Sequence, residues 1–81
     1  MKPNIVLQQL RDPYDHYVVR VCVDRLVDER LRSVIAKIPG IDTASKQNLR
    51  YGFDVTIDRA FKWKAVHAEI IRTVEEYYAQ A

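Results

Sequence analysis

The fold is decided in residues 49–57, which read LRYGFDVTI. Apolar side chains stand at the odd positions, and polar side chains or glycine stand at the even positions. Because successive side chains of a β-strand point to opposite faces of a sheet, this period of two predicts a strand with one buried face. The residues predicted to face the core are Leu49, Tyr51, Phe53, Val55 and Ile57.

A second strand is predicted over residues 16–24, which read HYVVRVCVD. Its core-facing residues are expected to be Tyr17, Val19, Val21 and Val23, and Val18 is the apolar exception on the other face. Strands that are polar on one face are typical of an antiparallel sheet covered on one side only.

The first of two predicted helices spans residues 27–38, where apolar side chains recur at helical spacing. Its core-facing stripe consists of Val27, Leu31, Val34, Ile35 and Ile38. Asp28 and Arg32 stand four residues apart and are predicted to pair on its surface. Pro39 and Gly40 are expected to end the helix.

The second helix is predicted over residues 59–79, with Asp58 as its N-cap. Its apolar stripe consists of Trp63, Val66, Ile70, Val74 and Tyr77. We expect Trp63 to pack in the core with this stripe.

Two weaker segments complete the pattern. Residues 41–46 are predicted to form a short edge strand that turns at Gln47-Asn48, and residues 4–10 are predicted to form a strand joined to the next by residues 11–15. The predicted order is ββαββα, a two-layer α+β sandwich in which both helices cover one face of an antiparallel sheet. A ferredoxin-like module with its last strand moved to the front, a permuted form, has this order. We expect residues 1–81 to form a single domain.

Composition excludes several classes of protein. The chain has 81 residues and a formal net charge of +2, which is a weak basic excess compared with a dedicated nucleic-acid binder. One cysteine excludes an intramolecular disulfide, and two histidines without a cysteine pattern predict no zinc site. The apolar run Ile5–Leu7 is too short for a signal peptide or a membrane span. The sequence therefore predicts a cytoplasmic protein without contact to a membrane.

Catalytic signatures are missing from the sequence. Its two glycines stand in no phosphate-binding motif. Cys22 lacks a nearby base, because His16 is roughly 20 Å away along the same strand and His67 is predicted on the other side of the sheet. We therefore expect a non-catalytic protein with no cofactor and no metal.

The fragment Arg50-Tyr51-Gly52-Phe53 resembles part of the RNA-recognition-motif signature, in which strand aromatics stack on bases. In that signature the aromatic positions alternate with apolar residues that face the helices. Here the alternating residues are Gly52, Asp54 and Thr56, which cannot build a core. The parity thus predicts that Tyr51 and Phe53 pack against the helices rather than bind RNA.

The uncovered sheet face is the first candidate site. It is predicted to carry Val18, Arg20, Cys22, Arg50, Asp54 and Thr56. An apolar strip between opposite charges suits self-complementary pairing, whereas a merely solvated face is the competing interpretation. The first hypothesis is a small protein-interaction module that binds itself as a homodimer, or another protein, through this face or a sheet edge.

The alternative hypothesis is a weak nucleic-acid or anion-binding domain. Its candidate residues are Lys46, Arg59, Lys62 and Lys64. Cations at the start of the second helix oppose the helix dipole, and such local conflicts occur at functional sites. Ordinary solvated charge, with Asp58 offsetting part of the excess, is the competing interpretation, and a small-molecule regulatory domain is a third hypothesis that rests on analogy alone.

Overall fold

The computed structural model describes residues 2–10, 17–45 and 50–80 of the chain. The elements follow in the order β1 (Ile5–Leu10), β2 (Tyr17–Val23), α1 (Glu29–Ala36), β3 (Ile41–Ala44), β4 (Gly52–Ile57) and α2 (Trp63–Ala79). The four strands form one antiparallel sheet in the order β1-β2-β4-β3. A small α+β fold with a four-stranded antiparallel sheet and two helices is therefore confirmed.

The core lies between one face of the sheet and both helices. The central strands contribute six fully or almost fully buried side chains, namely Val19, Val21, Val23, Phe53, Val55 and Ile57. The helices contribute Leu31, Ile35, Val66, Ile70 and Val74 to the same cluster. Both helices thus cover the same side of the sheet, as the alternation in the two strong strands predicted.

Asp28 joins the beginning of α1 to the end of α2. Its carboxylate accepts the backbone N–H of Leu31 at 2.9 Å as the N-cap of α1. The same carboxylate accepts the hydroxyl of Tyr77 at 2.7 Å. The predicted pairing with Arg32 is wrong, because the Arg32 guanidinium instead donates to Glu29 and to the carbonyl of Ala44.

Gly40 allows the chain to turn from α1 into β3. Its φ is +96°, a conformation that side chains with a Cβ rarely adopt. A Cβ at this position would also lie 2.9 Å from Cγ2 of Val66. The predicted end of the helix at Pro39-Gly40 is confirmed, with α1 ending at Ala36.

Three residues predicted to be buried are half exposed instead. Val34 is 38%, Trp63 49% and Tyr51 51% exposed. Val34 lies about 60° around the helix from Leu31, on the flank of the buried stripe. Tyr51 lies in the turn before β4, which begins at Gly52 rather than at residue 49, so it has no strand position from which to face the helices.

Helix α2 begins four residues later than the predicted cap implies. Asp58 closes a turn instead, since its side chain accepts the N–H of Ala60 and its carbonyl accepts the N–H of Phe61. The N-cap residue is Lys62, which makes no side-chain capping hydrogen bond. Trp63 is consequently the first residue of the helix, beside Tyr17 at the end of the sheet.

Three predicted features lie outside the described residues. They are the turn at Gln47-Asn48, the core residue Leu49 and the connection over residues 11–15. Neither helix in the described part of the chain has the length and apolarity that a membrane-spanning helix requires.

Candidate functional site

The two edges of the sheet differ in how well they are protected against pairing. Strand β3 has four residues, and its register with β4 shifts between Ile41 and Thr43. Short edge strands and irregular register hinder the addition of another strand. Strand β1 has six residues in unbroken register with β2, and its sequence IVLQQL contains neither charge nor proline. It is the unprotected edge of this sheet.

The hydrogen-bond pattern shows which backbone groups of β1 face outward. The N–H of Asp24 donates to the carbonyl of Asn4, one residue beyond the Ile5–Val23 pair at which the β1–β2 register begins. Bonded and non-bonded pairs alternate in an antiparallel ladder. Even-numbered residues of β1 therefore bond to β2, and the N–H and C=O groups of Ile5, Leu7 and Gln9 point to the free edge.

The face of the sheet opposite the helices carries most of the predicted partner-binding residues. Register places Val18 beside Thr56, Arg20 beside Asp54 and Cys22 beside Gly52. Across β1, the same face includes Val6, which is 61% exposed, next to Cys22. The structure thus brings together five of the six predicted residues.

The charges on this face neutralise each other. Nε of Arg20 donates to Oδ1 of Asp54 at 2.9 Å, and both side chains are only partly exposed. The carboxylate of Asp54 raises the pKa of the Arg20 guanidinium through this hydrogen bond. Because each charge already has its partner within the protomer, the pair has little need of a second protein to compensate it.

Arg50 does not join this face. It is exposed in the turn before β4, where its carbonyl accepts the N–H of Val27. Register pairs Tyr17 with Ile57 and Cys22 with Gly52, so this turn lies about 16 Å along the sheet from the end where α2 begins. Arg50 therefore belongs to neither predicted cluster of charges.

The close approach of β2 and β4 explains why residue 52 is glycine. A Cβ on Gly52 would lie 2.3 Å from the carbonyl oxygen of Val21, which is far inside van der Waals contact. The glycine within the RNA-recognition-like fragment thus serves strand packing. Phe53, which follows it, is 1% exposed and cannot stack on a base.

The predicted anion site is only partly assembled. Arg59, Lys62 and Lys64 are exposed at the beginning of α2, whereas Lys46 lies outside the described residues. In the described part of the chain, neither Lys62 nor Lys64 forms an ion pair. Nζ of Lys64 lies 5.6 Å from the ring centroid of Trp63, at cation–π distance.

An aromatic cluster that the sequence analysis did not predict lies beside these lysines. Its members are Tyr17, Trp63 and His67, and Phe61 lines a groove together with Tyr17 and Trp63. The Trp63 ring lies 5.2 Å from the imidazole of His67 and 6.3 Å from the ring of Tyr17, measured between centroids. The alternation of aromatic and basic residues in FKWK, residues 61–64, is the signal that could have revealed it.

His67 is held in its neutral form within this cluster. Its Nε2 lies 3.2 Å from the hydroxyl of Tyr17. Burial lowers the pKa of the imidazole, and burial also raises the pKa of the Tyr17 hydroxyl. Near neutral pH this pair therefore contributes no charge to the basic surface.

The described residues line a groove at each end of α2. One of about 310 Å³ lies between α1 and the C-terminal half of α2, away from the aromatic cluster, where Arg30, Val34 and Tyr77 line it. The other, of about 250 Å³, lies beside the aromatic cluster and is lined in part by Gln9, Tyr17, Phe61 and Trp63.

Comparison with family models, with curated proteins and with solved structures found no significant match to this chain.

Proposed function

We propose that this protein is a small non-catalytic interaction module that binds a second copy of itself along strand β1. The observation that carries the proposal is the contrast between the two sheet edges. Strand β3 is short and irregular, whereas β1 is regular and uncharged, and no other strand in the described part of the chain pairs with its outer side. Such an edge is a template for an added strand.

The free backbone groups determine the geometry of the dimer. In antiparallel pairing about a twofold axis, residues directly opposite each other point to the same face. With Leu7 on the axis, Ile5 bonds to the partner's Gln9 and Leu7 bonds to the partner's Leu7. This register satisfies all the outward groups of β1, and a shift by two residues leaves some of them unpaired.

The resulting dimer is a continuous eight-stranded sheet, twice the four strands of one protomer, with the helices of both copies on one side. Ile5 and Leu7 are only partly buried in the protomer. The added strand covers these two side chains, and their burial is the hydrophobic contribution to association. Because Arg20 and Asp54 already neutralise each other, edge pairing is favoured over docking of the two open faces.

Cysteine cross-linking tests the register directly. With Leu7 on the axis, Val6 lies opposite the partner's Gln8 in a non-bonded pair, where the Cα atoms are about 4.5 Å apart and a disulfide is sterically allowed. In a Cys22→Ser background, we expect Val6→Cys and Gln8→Cys chains to cross-link when mixed. Chains carrying Val6→Cys alone serve as the matched control and should cross-link poorly.

The open face supplies the competing arrangement. Val18 lies on β2, one strand away from the β1 edge. In the edge dimer, Val18→Glu leaves the sedimentation behaviour nearly unchanged. Loss of association in Val18→Glu, together with failure of the mixed cross-link, would show that the faces and not the edges meet.

The connectivity also supports a finer description of the fold. We infer that the sheet order β1-β2-β4-β3 corresponds to a ferredoxin-like module whose last strand has moved to the front of the chain. In that parent arrangement the last strand pairs antiparallel with the first, as β1 pairs with β2 here. The inference concerns topology and implies no particular activity.

A further inference from the structure

We propose that the aromatic cluster, together with Lys62 and Lys64, binds single-stranded nucleic acid, with a base stacked on Trp63 and phosphates at the two lysines. This surface lies at the end of the sheet where α2 begins. The proposal rests on observations separate from those that support the edge dimer.

The first observation is the exposure of large aromatic side chains. Phe61 is 45% and Trp63 is 49% exposed, although Trp63 stands only three residues before the buried Val66. Trp63 belongs by spacing to the stripe of Val66 and Ile70, yet half of its surface is exposed beside Tyr17. Exposed aromatic rings beside cations are the usual platform for unpaired bases.

The second observation is the position of the cations. Lys62 and Lys64 flank Trp63 in sequence, both are exposed, and Nζ of Lys64 lies 5.6 Å from the indole centroid. A base stacked on the indole would therefore bring its phosphates close to ammonium groups. Lysines act on phosphates as point charges, so they hold the backbone without selecting a sequence.

Other ligands fit this surface less well. The groove of about 250 Å³ has the rings of Tyr17, Phe61 and Trp63 in its wall, which favours a flat ring ligand over a simple anion. A cationic ligand would meet repulsion from Lys62 and Lys64. Among the described residues that line the groove, Asp58 alone carries a carboxylate, and it already accepts the N–H of Ala60. A duplex is excluded as the preferred form because its bases are stacked and offer no open face.

Trp63 is itself the reporter for the test, since the chain has one tryptophan. Oligo(dT) and oligo(U) are titrated into the protein at low salt while the indole fluorescence is recorded. We expect saturable quenching by both, and weaker quenching by a duplex of the same length. Inorganic phosphate, titrated as a separate probe, is expected not to quench the indole fluorescence, because a lone anion cannot stack on the ring.

Variants separate stacking from charge, with binding measured by anisotropy of a labelled oligo(dT). Trp63→Ala should weaken binding about tenfold or more, whereas Trp63→Phe, which keeps a ring, should retain most of the affinity. Tyr51→Ala is the matched control, because Tyr51 is an equally exposed aromatic at the opposite end of the sheet. It should leave binding unchanged.

The salt dependence isolates the lysines. For single strands, the slope of log affinity against log salt changes by about 0.7 for each phosphate contact. Lys62→Gln with Lys64→Gln should therefore flatten the slope by about 1.4. Arg30→Gln is the control, since Arg30 lines the groove at the other end of α2.

The proposal is overturned by any of three results. The first is that single strands do not quench the indole fluorescence at low salt. The second is that Trp63→Ala keeps native circular dichroism and binds with unchanged affinity. The third is that duplex binds more tightly than single strands. Val6→Lys places a charge on the β1 edge and is expected to weaken dimerisation. Measuring this variant alongside the wild type shows whether nucleic-acid binding survives loss of the dimer, so failure of one proposal does not imply failure of the other.

Discussion

Phe53 is the side chain on which the packing between sheet and helices depends most. It is 1% exposed and is the largest of the fully buried residues. Phe53→Ala removes this volume from a closed core, so we expect the free energy of unfolding to fall by about 3–5 kcal/mol in urea denaturation.

Val34 provides the contrast, since the sequence assigns it equally to the core. Because Val34 is 38% exposed, Val34→Ala should cost less than about 1 kcal/mol. A large loss in Val34→Ala, or a small one in Phe53→Ala, would contradict the observed side-chain orientation.

His67 makes stability depend on pH. Burial lowers its folded pKa below the value of about 6.5 that histidine has in an unfolded chain. As the pH falls below that value, the unfolded state binds a proton that the folded state does not, so unfolding becomes more favourable.

We expect the free energy of unfolding of the wild type to decline as the pH falls below about 6.5, and the decline to be shallower in His67→Gln. Glutamine keeps a polar side chain beside the Tyr17 hydroxyl but does not titrate. Chemical denaturation at several pH values measures both slopes. Parallel slopes in the two proteins would show that His67 is not the group responsible.

Helix α2 begins without a side chain that caps the backbone N–H groups of its first turn. Lys62 occupies the N-cap, its side chain makes no capping hydrogen bond, and the first turn contains no acidic residue. Lys62→Ser supplies an oxygen for a free N–H and removes an unfavourable charge. We expect it to stabilise the protein by about 1 kcal/mol, measured by thermal or urea unfolding.

The same substitution links stability to the proposed binding surface. If Lys62 contacts phosphate, Lys62→Ser should be more stable and bind oligo(dT) less tightly, which is a trade-off common at functional sites. Lys37→Ser, at the exposed C-cap of α1, is a control that should not stabilise the fold in this way.

The helices are joined through one carboxylate. Asp28 accepts hydrogen bonds from the Leu31 N–H and from the Tyr77 hydroxyl, and these bonds lower the pKa of Asp28 and raise the pKa of Tyr77. Asp28→Ala should cost about 0.5–2 kcal/mol through loss of the cap, and Tyr77→Phe should cost less because only an exposed hydroxyl is removed.

A double-mutant cycle measures how strongly the two helix ends are coupled. We expect the two losses to sum to more than that of the double variant, because each single substitution breaks the same hydrogen bond. Strict additivity would mean that the Tyr77 bond does not form in solution.

Association through β1 is a property of the whole molecule. Val6→Lys places a charge on the exposed side of the unprotected edge, opposite the partner's Gln8. We expect it to weaken dimerisation in sedimentation equilibrium while leaving the circular dichroism of the protomer unchanged. Thr43→Lys makes the matching change on the protected edge and should not alter association. Wild-type melting temperature should rise with protein concentration, and that of Val6→Lys should not.

The sequence by itself determined which segments form strands and helices and which side of each central strand is buried. Phe53, Val55 and Ile57 alternate with polar residues. Because the helices cover one face of the sheet only, the apolar side of such a strand must be the buried side. The open-face positions of Val18, Arg20 and Cys22 follow from the same parity.

Only the tertiary structure decided what happens at the ends of these elements. Tyr51 and Trp63 obey the periodic pattern but lie where no strand or helix covers them, because burial depends on neighbours from distant parts of the chain. The Arg20–Asp54 ion pair and the cluster of Tyr17, Trp63 and His67 join residues remote in sequence, so strand register and not local pattern assembles them. The different exposure of β1 and β3 to pairing is likewise set by sheet order, which no single segment encodes.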